Sequence, residues 1–190
     1  MRYEIRLAGA GGQGLVLAGI ILAEAGLAES HHVVHSQNYG PEARGGNSVS
    51  EIIFADEDID YPKATGLDLL VALNQKACSE NLPHMKEDGL VIVDSAAVKK
   101  ALWGKVIRHP LQREADVTFS DSRLVNVIAL GLLTPFCSWI REKSMEQAIA
   151  SMFPEHLVEH NTKAYQTGVK KGRELRTTTS FHEHEDAIEV

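Results

Sequence analysis

The chain has little cysteine, no block of basic residues and no long uninterrupted apolar run. Its two cysteines, Cys78 and Cys137, lie far apart and form no C-x-x-C pair. Iron–sulfur clusters and zinc ribbons draw their ligands from such spaced pairs, so this chain alone builds neither. Any electron carrier must sit on another chain. The net charge is −7, with lysine and arginine scattered rather than gathered. A nucleic-acid partner would need them on one face to displace phosphate counterions, and is excluded. The most apolar stretch, Leu124 to Ile140, is broken by Asn126, Thr134, Pro135 and Ser138. It is too short and interrupted for a membrane span and reads as a buried helix that bends or ends near Pro135. The amino end, Arg2-Tyr3-Glu4-Ile5-Arg6, lacks the apolar core of a signal peptide. Together with two unpaired thiols this predicts a cytoplasmic protein.

What remains is an ordinary globular composition: 190 residues, 44% hydrophobic and 24% charged. Residues 1–176 are expected to form one domain with a substantial core. From Thr177 to Val190 there are four acids, Glu183, Glu185, Asp186 and Glu189, and no lysine or arginine. That composition predicts a disordered acidic tail over 177–190.

Apolar periodicity predicts a strand over 2–8, a glycine loop over 9–14 and a helix over 15–29. Strands are expected over 32–37 and 49–54, with a glycine- and proline-bearing loop, 38–46, between them. Further strands fall at 67–73 and 90–93, separated by a helix over 75–86, and an edge strand at 105–109. From about Asp121, an available N-cap, the chain turns helical, with helices over 145–153 and 154–175. The expected fold class is α/β: three α/β/α layers on a largely parallel, Rossmann-like sheet, followed by a helical C-terminal region.

Gly9-Ala10-Gly11-Gly12-Gln13-Gly14 satisfies G-x-G-x-x-G between a strand and a helix, where backbone amides can hold a phosphate. A dinucleotide site also needs an acid roughly 20 residues on to bind the ribose hydroxyls. Between Ser30 and Pro41 there is none, and from Ser30 on no arginine that could take an NADP phosphate comes before Arg44. A free-standing NAD(P)-binding oxidoreductase is thus the second reading, and a turn that merely lets helix pack on strand is a third. Gln13 is the unusual member, because a packing turn needs no amide side chain.

The second loop, Tyr39-Gly40-Pro41-Glu42-Ala43-Arg44-Gly45-Gly46, sets an aromatic, a carboxylate and a guanidinium among glycines that let the backbone approach closely. The two loops together closely resemble the gamma subunit, or gamma domain, of the 2-oxoacid:ferredoxin oxidoreductases. The order of later elements agrees: Asp60-Tyr61-Pro62, the strand Asp68 to Asn74, Asp94 after a strand, then Asn126 and Gly131 in a helix. The resemblance covers residues 1 to 170.

It implies a subunit of an assembly that decarboxylates a 2-oxoacid, passes electrons to ferredoxin and forms an acyl-coenzyme A. Alpha and beta subunits would be its partners, often with a delta subunit. Thiamine diphosphate, Mg2+ and the iron–sulfur clusters would belong to those partners, and coenzyme A would be a co-substrate. The gamma subunit would roof the active site and contribute to coenzyme A binding and subunit contacts. No residue of this chain is assigned a catalytic or metal-binding role. Gly11, Gly12, Gln13 and Gly14 would present donors to ligand or partner. Arg44, oriented by Glu42, would pair with a phosphate or carboxylate, with Gly45 and Gly46 beside it. Tyr39 would pack on a neighbour, and Asn74 would line the same crevice.

Other motifs carry less. His156-Leu157-Val158-Glu159-His160 fits H-x-x-E-H, with both histidines on one helical face, but only thirty residues remain to supply a third zinc ligand. It reads as an exposed helix turn. His31, His32 and His35 lack an acid or thiol close in sequence and read as partly buried or interfacial residues.

Overall fold

The computed structural model describes residues 1–39 and 46–179, the Tyr39 side chain excepted. Among these residues six strands form one sheet in the order β2-β3-β1-β4-β5-β6. The strands are β1 (Arg2–Ala10), β2 (His32–Tyr39), β3 (Asn47–Ala55), β4 (Leu67–Ala72), β5 (Met85–Asp94) and β6 (Val106–His109). β1, β4, β5 and β6 pair in parallel. β3 alone runs the other way, antiparallel to both β1 and β2. The cause lies in chain length: seven residues join β2 to β3, and a parallel return needs a crossover of about a dozen or more. The sheet is largely parallel, as expected, with one reversed strand inserted.

Alternation along β1 sends Ile5 and Leu7 to one face and Ala8 to the other. The first face is thickly covered by α1 (Leu15–Ala28), α4 (Val125–Leu133), α5 (Glu142–Met152) and α6 (Glu155–Thr178), with α3 (Leu111–Glu114) at one end. The opposite face is covered by one short helix, α2 (Gln75–Asn81), through Ala77 and Cys78. The three layers are present but unequal.

Two boundaries differ from the sequence reading. The helix expected to reach Lys86 stops at Asn81, whose amide donates back to Ala77 O at 2.7 Å. Pro83 has no N–H to continue the ladder. Met85 and Lys86 instead open a longer β5, with Leu67 registered on Met85. Residues 111–119 carry α3 and a π-helical turn that the sequence did not announce. Their anchor is remote: Asp94 Oδ2 accepts the Gln112 N–H at 2.8 Å.

All nine residues of α4 are buried, and it ends in a 3-10 turn containing Pro135, as expected. α6 crosses it at glycine. A Cβ on Gly131 would lie 2.0 Å from Tyr165 O, and one on Gly168 2.2 Å from Ile128 O, so neither helix tolerates a side chain there. α6 runs through Thr178, and the remainder of the expected tail, 180–190, lies outside the described residues. No described helix is long and apolar enough to cross a membrane.

Candidate functional site

β1 leads through the glycine loop to α1 on the thick face, whereas β4 leads to α2 on the thin face. The direction of winding therefore reverses between these neighbouring parallel strands, and ligands of open α/β sheets bind beyond the carboxyl ends at such a point. Leu73 N–H donates to Ala8 O at 2.9 Å, which brings the chain before Asn74 against the end of β1. The start of β3 joins them: Gly11 N–H donates to Gly46 O at 2.8 Å. The two loops singled out in the sequence thus touch. Tyr39 keeps its backbone place at the end of β2, but its side chain, Glu42, Arg44 and Gly45 lie outside the described residues.

The glycine loop is held from within. Gln13 Oε1 accepts the Ala10 N–H at 2.7 Å, so the carbonyl end of the side chain expected to face a ligand closes the loop instead. Its NH2 end has no partner among the described residues. Gly12 and Gly14 have φ of +93° and +70°, where a Cβ is strained. They differ in surroundings: a Cβ on Gly12 would meet nothing within 4 Å, whereas one on Gly14 would lie 2.4 Å from Asn126 Nδ2. Asn126, on α4, donates to Gly14 O at 3.0 Å and pins the loop to the helical layer. Asn74 caps α2, accepting from Ala77 N–H at 2.8 Å, which fixes its carbonyl, and it does not line the cleft described next. Asp94 is likewise structural, accepting from Ala96 and Gln112 backbone N–H groups.

A cleft of about 510 Å3 opens beside the loop, between the start of α1, residues 121–126 and the first turns of α6. Gly12, Gly14 and Leu17 form one wall, and Leu124, Phe153 and Leu157 supply apolar surface. The N-terminus of α1 has no side-chain cap, so its first amides and the positive end of the helix are available to an anion. Arg123 grips Asp121 through two bonds of 2.8 Å and holds that carboxyl below its usual range. His156 and His160 both line the cleft, which bears out their shared helical face. His160 stacks edge-on against Phe119 at 5.6 Å and stands 4.0 Å from Asp121.

Glu159 faces away, bonded to Lys163 at 2.6 Å, and no group of three metal-ligating side chains occurs among the described residues. Asn161 is 4% exposed and also lines the cleft. Its Nδ2 donates to Leu157 O at 2.9 Å, which fixes the amide's orientation and leaves Oδ1 without a partner among the described residues. Sequence reading missed Asp121, Arg123 and Asn161 as site residues. H-x-x-E-H did signal the right helix face, attached to the wrong chemistry.

Of the three amino-terminal histidines, His31 and His35 are half-buried as expected, whereas His32 is exposed. His31 packs against Phe54 and Trp139 and contacts Trp139 O at 3.0 Å. His32 pairs with Asp58, and His35 bonds Ser50 Oγ at 2.8 Å while burial pushes its pKa down.

Residues 4–171 match the family described as pyruvate ferredoxin/flavodoxin oxidoreductase. The 2-oxoglutarate synthase subunit KorC of Methanocaldococcus jannaschii is 39% identical over 180 residues, spanning 92% of this chain and 96% of its own. The solved gamma subunit of a keto/oxoacid ferredoxin oxidoreductase from Geobacter sulfurreducens superposes with a TM-score of 0.80 at 39% identity, covering 90% of this chain and 99% of that one. A 2-oxoglutarate:ferredoxin oxidoreductase from Magnetococcus marinus shares the fold, with a TM-score of 0.81 at 22% identity. There the likeness covers 92% of this chain but 31% of the longer one.

Proposed function

The chain belongs to the pyruvate ferredoxin/flavodoxin oxidoreductase family, and from that premise we propose that it is the gamma subunit of a thiamine-diphosphate-dependent 2-oxoacid:ferredoxin oxidoreductase, roofing an active site carried by partner chains and helping to bind coenzyme A. The observation that carries the reading is the Gly11 N–H to Gly46 O bond, because it joins the two loops at the switch point of the sheet.

The reaction is the oxidative decarboxylation of a 2-oxoacid. The carboxylate leaves as CO2, two electrons pass to ferredoxin, and the acyl group is captured by the coenzyme A thiol, whose proton is released to solvent. Thiamine diphosphate and Mg2+, held by the beta subunit, supply the carbon chemistry, and iron–sulfur clusters outside this chain carry the electrons. This chain's part is to bind and orient. The uncapped start of α1 suits a phosphate, with the Arg123 guanidinium and the His156 imidazole beside it as donors. Leu17, Phe153 and Leu157 offer apolar surface to a ring or alkyl chain, and Asn161 Oδ1 accepts from an amide or amino group. Gly11, Gly12, the Gln13 amide, Gly14 and Asn74 shape the crevice between loop and partner. Arg44, with Glu42, Tyr39, Gly45 and Gly46, completes it from the second loop. Alpha and beta subunits, with or without delta, are the partners, in a reducing cytoplasm.

The nicotinamide reading loses on topology as well as on the missing acid. In a dinucleotide fold the second strand lies beside the first, so that its end reaches the ribose. Here β3 is interposed, holding β2 roughly 10 Å from β1.

Arg44→Ala and Arg123→Ala, each tested in the assembled complex, separate a ligand-binding role from a scaffold. Loss of a charged contact costs about 1.5–3 kcal/mol, which is a KM for coenzyme A raised roughly 10- to 150-fold with assembly intact. Unchanged coenzyme A kinetics in both variants would reduce the chain to a scaffold.

A further inference from the structure

β2 is an edge strand, and among the described residues it lacks the shortness, bulge, proline and lysine that keep an edge from pairing. It is eight residues long, pairs with β3 at every position without a bulge, and contains no proline, lysine or arginine. The opposite edge, β6, is four residues long, with Lys105 before it and an exposed Arg108 within it. Short, charged edges resist pairing, whereas a long neutral one invites it. The outward N–H and C=O groups of β2 find no backbone partner among the described residues.

A recess flanks this edge on either side. One, of about 360 Å3, has mixed walls, with Leu27, Val33 and Ile59 beside Ser30, His31 and His32, and Leu27 is 53% exposed. The other, of about 700 Å3, lies over the thinly covered face of the sheet. Its floor is a closed polar network. Arg6 donates to Glu51 and to Asn81 Oδ1, at 2.8 and 2.9 Å, and Ser36 Oγ donates to Glu51 at 3.3 Å. A strand added to an edge offers its side chains alternately to the two faces, and recesses on both faces are what such a strand requires.

We propose that the outer edge of β2 takes up an extended segment of a partner subunit as a seventh strand. The partner's identity rests on the multisubunit reading above. Charge selects the occupant. Asp56, Glu57, Asp58 and Asp60 are all exposed beside the amino end of β2. Asp56 holds the terminal ammonium and Asp58 pairs with His32, leaving Glu57 and Asp60 without a partner among the described residues. The incoming segment therefore carries lysine or arginine where it passes His32, an apolar side chain facing Leu27 and Ile59, and small or polar ones over Ser36. A second copy of this chain answers those acids less well than a basic segment, because its own β2 carries no lysine or arginine.

The test is amide hydrogen exchange, resolved by residue, on the isolated chain and on the active assembled complex. Alternate amides of 32–39 are expected to slow at least about tenfold on assembly while 106–109 stay unchanged. Val34→Lys, which sets a charge between the two recesses, should weaken assembly about tenfold or more without lowering the melting temperature of the isolated chain. Unaltered exchange of β2 in a complex that is active with coenzyme A would overturn the inference and leave the functional reading standing. Slowing that appears already in the isolated chain as its concentration rises would mean self-pairing, and would overturn the partner strand equally.

Discussion

Gly12 and Gly14 share a left-handed backbone but differ in what a methyl group would strike, so Ala at each position separates strain from collision. A non-glycine residue in this region costs about 1–2 kcal/mol. Stiffening of the unfolded chain returns about 0.4–1 kcal/mol. Gly12→Ala should therefore lose about 0.5–1.5 kcal/mol, since its Cβ points into open space. Gly14→Ala must in addition displace Asn126 Nδ2, 2.4 Å from the new atom, and break its bond to Gly14 O. Leaving that buried amide unpaired adds about 1–3 kcal/mol, for a total of about 2–4. Urea unfolding followed by circular dichroism measures both variants. A double-mutant cycle with Asn126→Ala then assigns the excess: in that background Gly14→Ala should cost little more than Gly12→Ala, a coupling of roughly 1 kcal/mol or more. Equal losses at the two glycines, or strict additivity with Asn126→Ala, would refute Asn126 as the pin of the loop.

Three further outcomes follow from the same geometry. Arg141 bonds hold the Glu29 carboxyl at a pKa of about 2, with help from Ser144 and against the opposing effect of burial. Because that pKa is depressed, the stability it contributes is complete above the unfolded value of about 4.3 and is lost as pH falls toward 2. Glu29→Gln should cost about 1–2 kcal/mol at pH 7 and flatten the acid limb of a stability–pH curve over that window. Gly168→Ala forces α6 off α4 and should destabilise by at least about 2 kcal/mol in urea unfolding, or fail to fold at 37 °C. Burial pushes the Cys137 thiol up to about 12 and also raises Cys78. Iodoacetamide at pH 8 should consequently label neither under native conditions and both in denaturant, as read by mass spectrometry.

What the sequence disclosed follows the range of the interactions involved. Strand alternation, the glycine turn after β1 and the proline-limited end of α4 are local, and they read correctly. Pro83 is legible too, yet the helical reading of 75–86 takes in Met85, because nothing local shows that Leu67 waits across the sheet to pair with it. The turn at 111–119 was silent because its anchor, Asp94, is 18 residues away. The site divides in the same manner. The glycine loop and the Gly46 end of the second loop were recognised as motifs and do meet. Gln13 and Asn74 drew attention as polar residues in suggestive places, and both spend their carbonyls on neighbouring backbone. Arg123 and Asn161 went unseen, because what makes them site residues is the distance folding closes between 12–17, 121–126 and 153–161.

The central claim, that this chain completes a site which other subunits carry, is tested most directly by reconstitution. The alpha and beta partners are assayed for 2-oxoacid- and coenzyme A-dependent reduction of ferredoxin or a viologen dye, with and without this chain, and the chain is assayed alone. The expected result is no turnover by the chain alone and activity restored when it joins its partners. Full coenzyme A-dependent activity in the complex lacking it would contradict the claim.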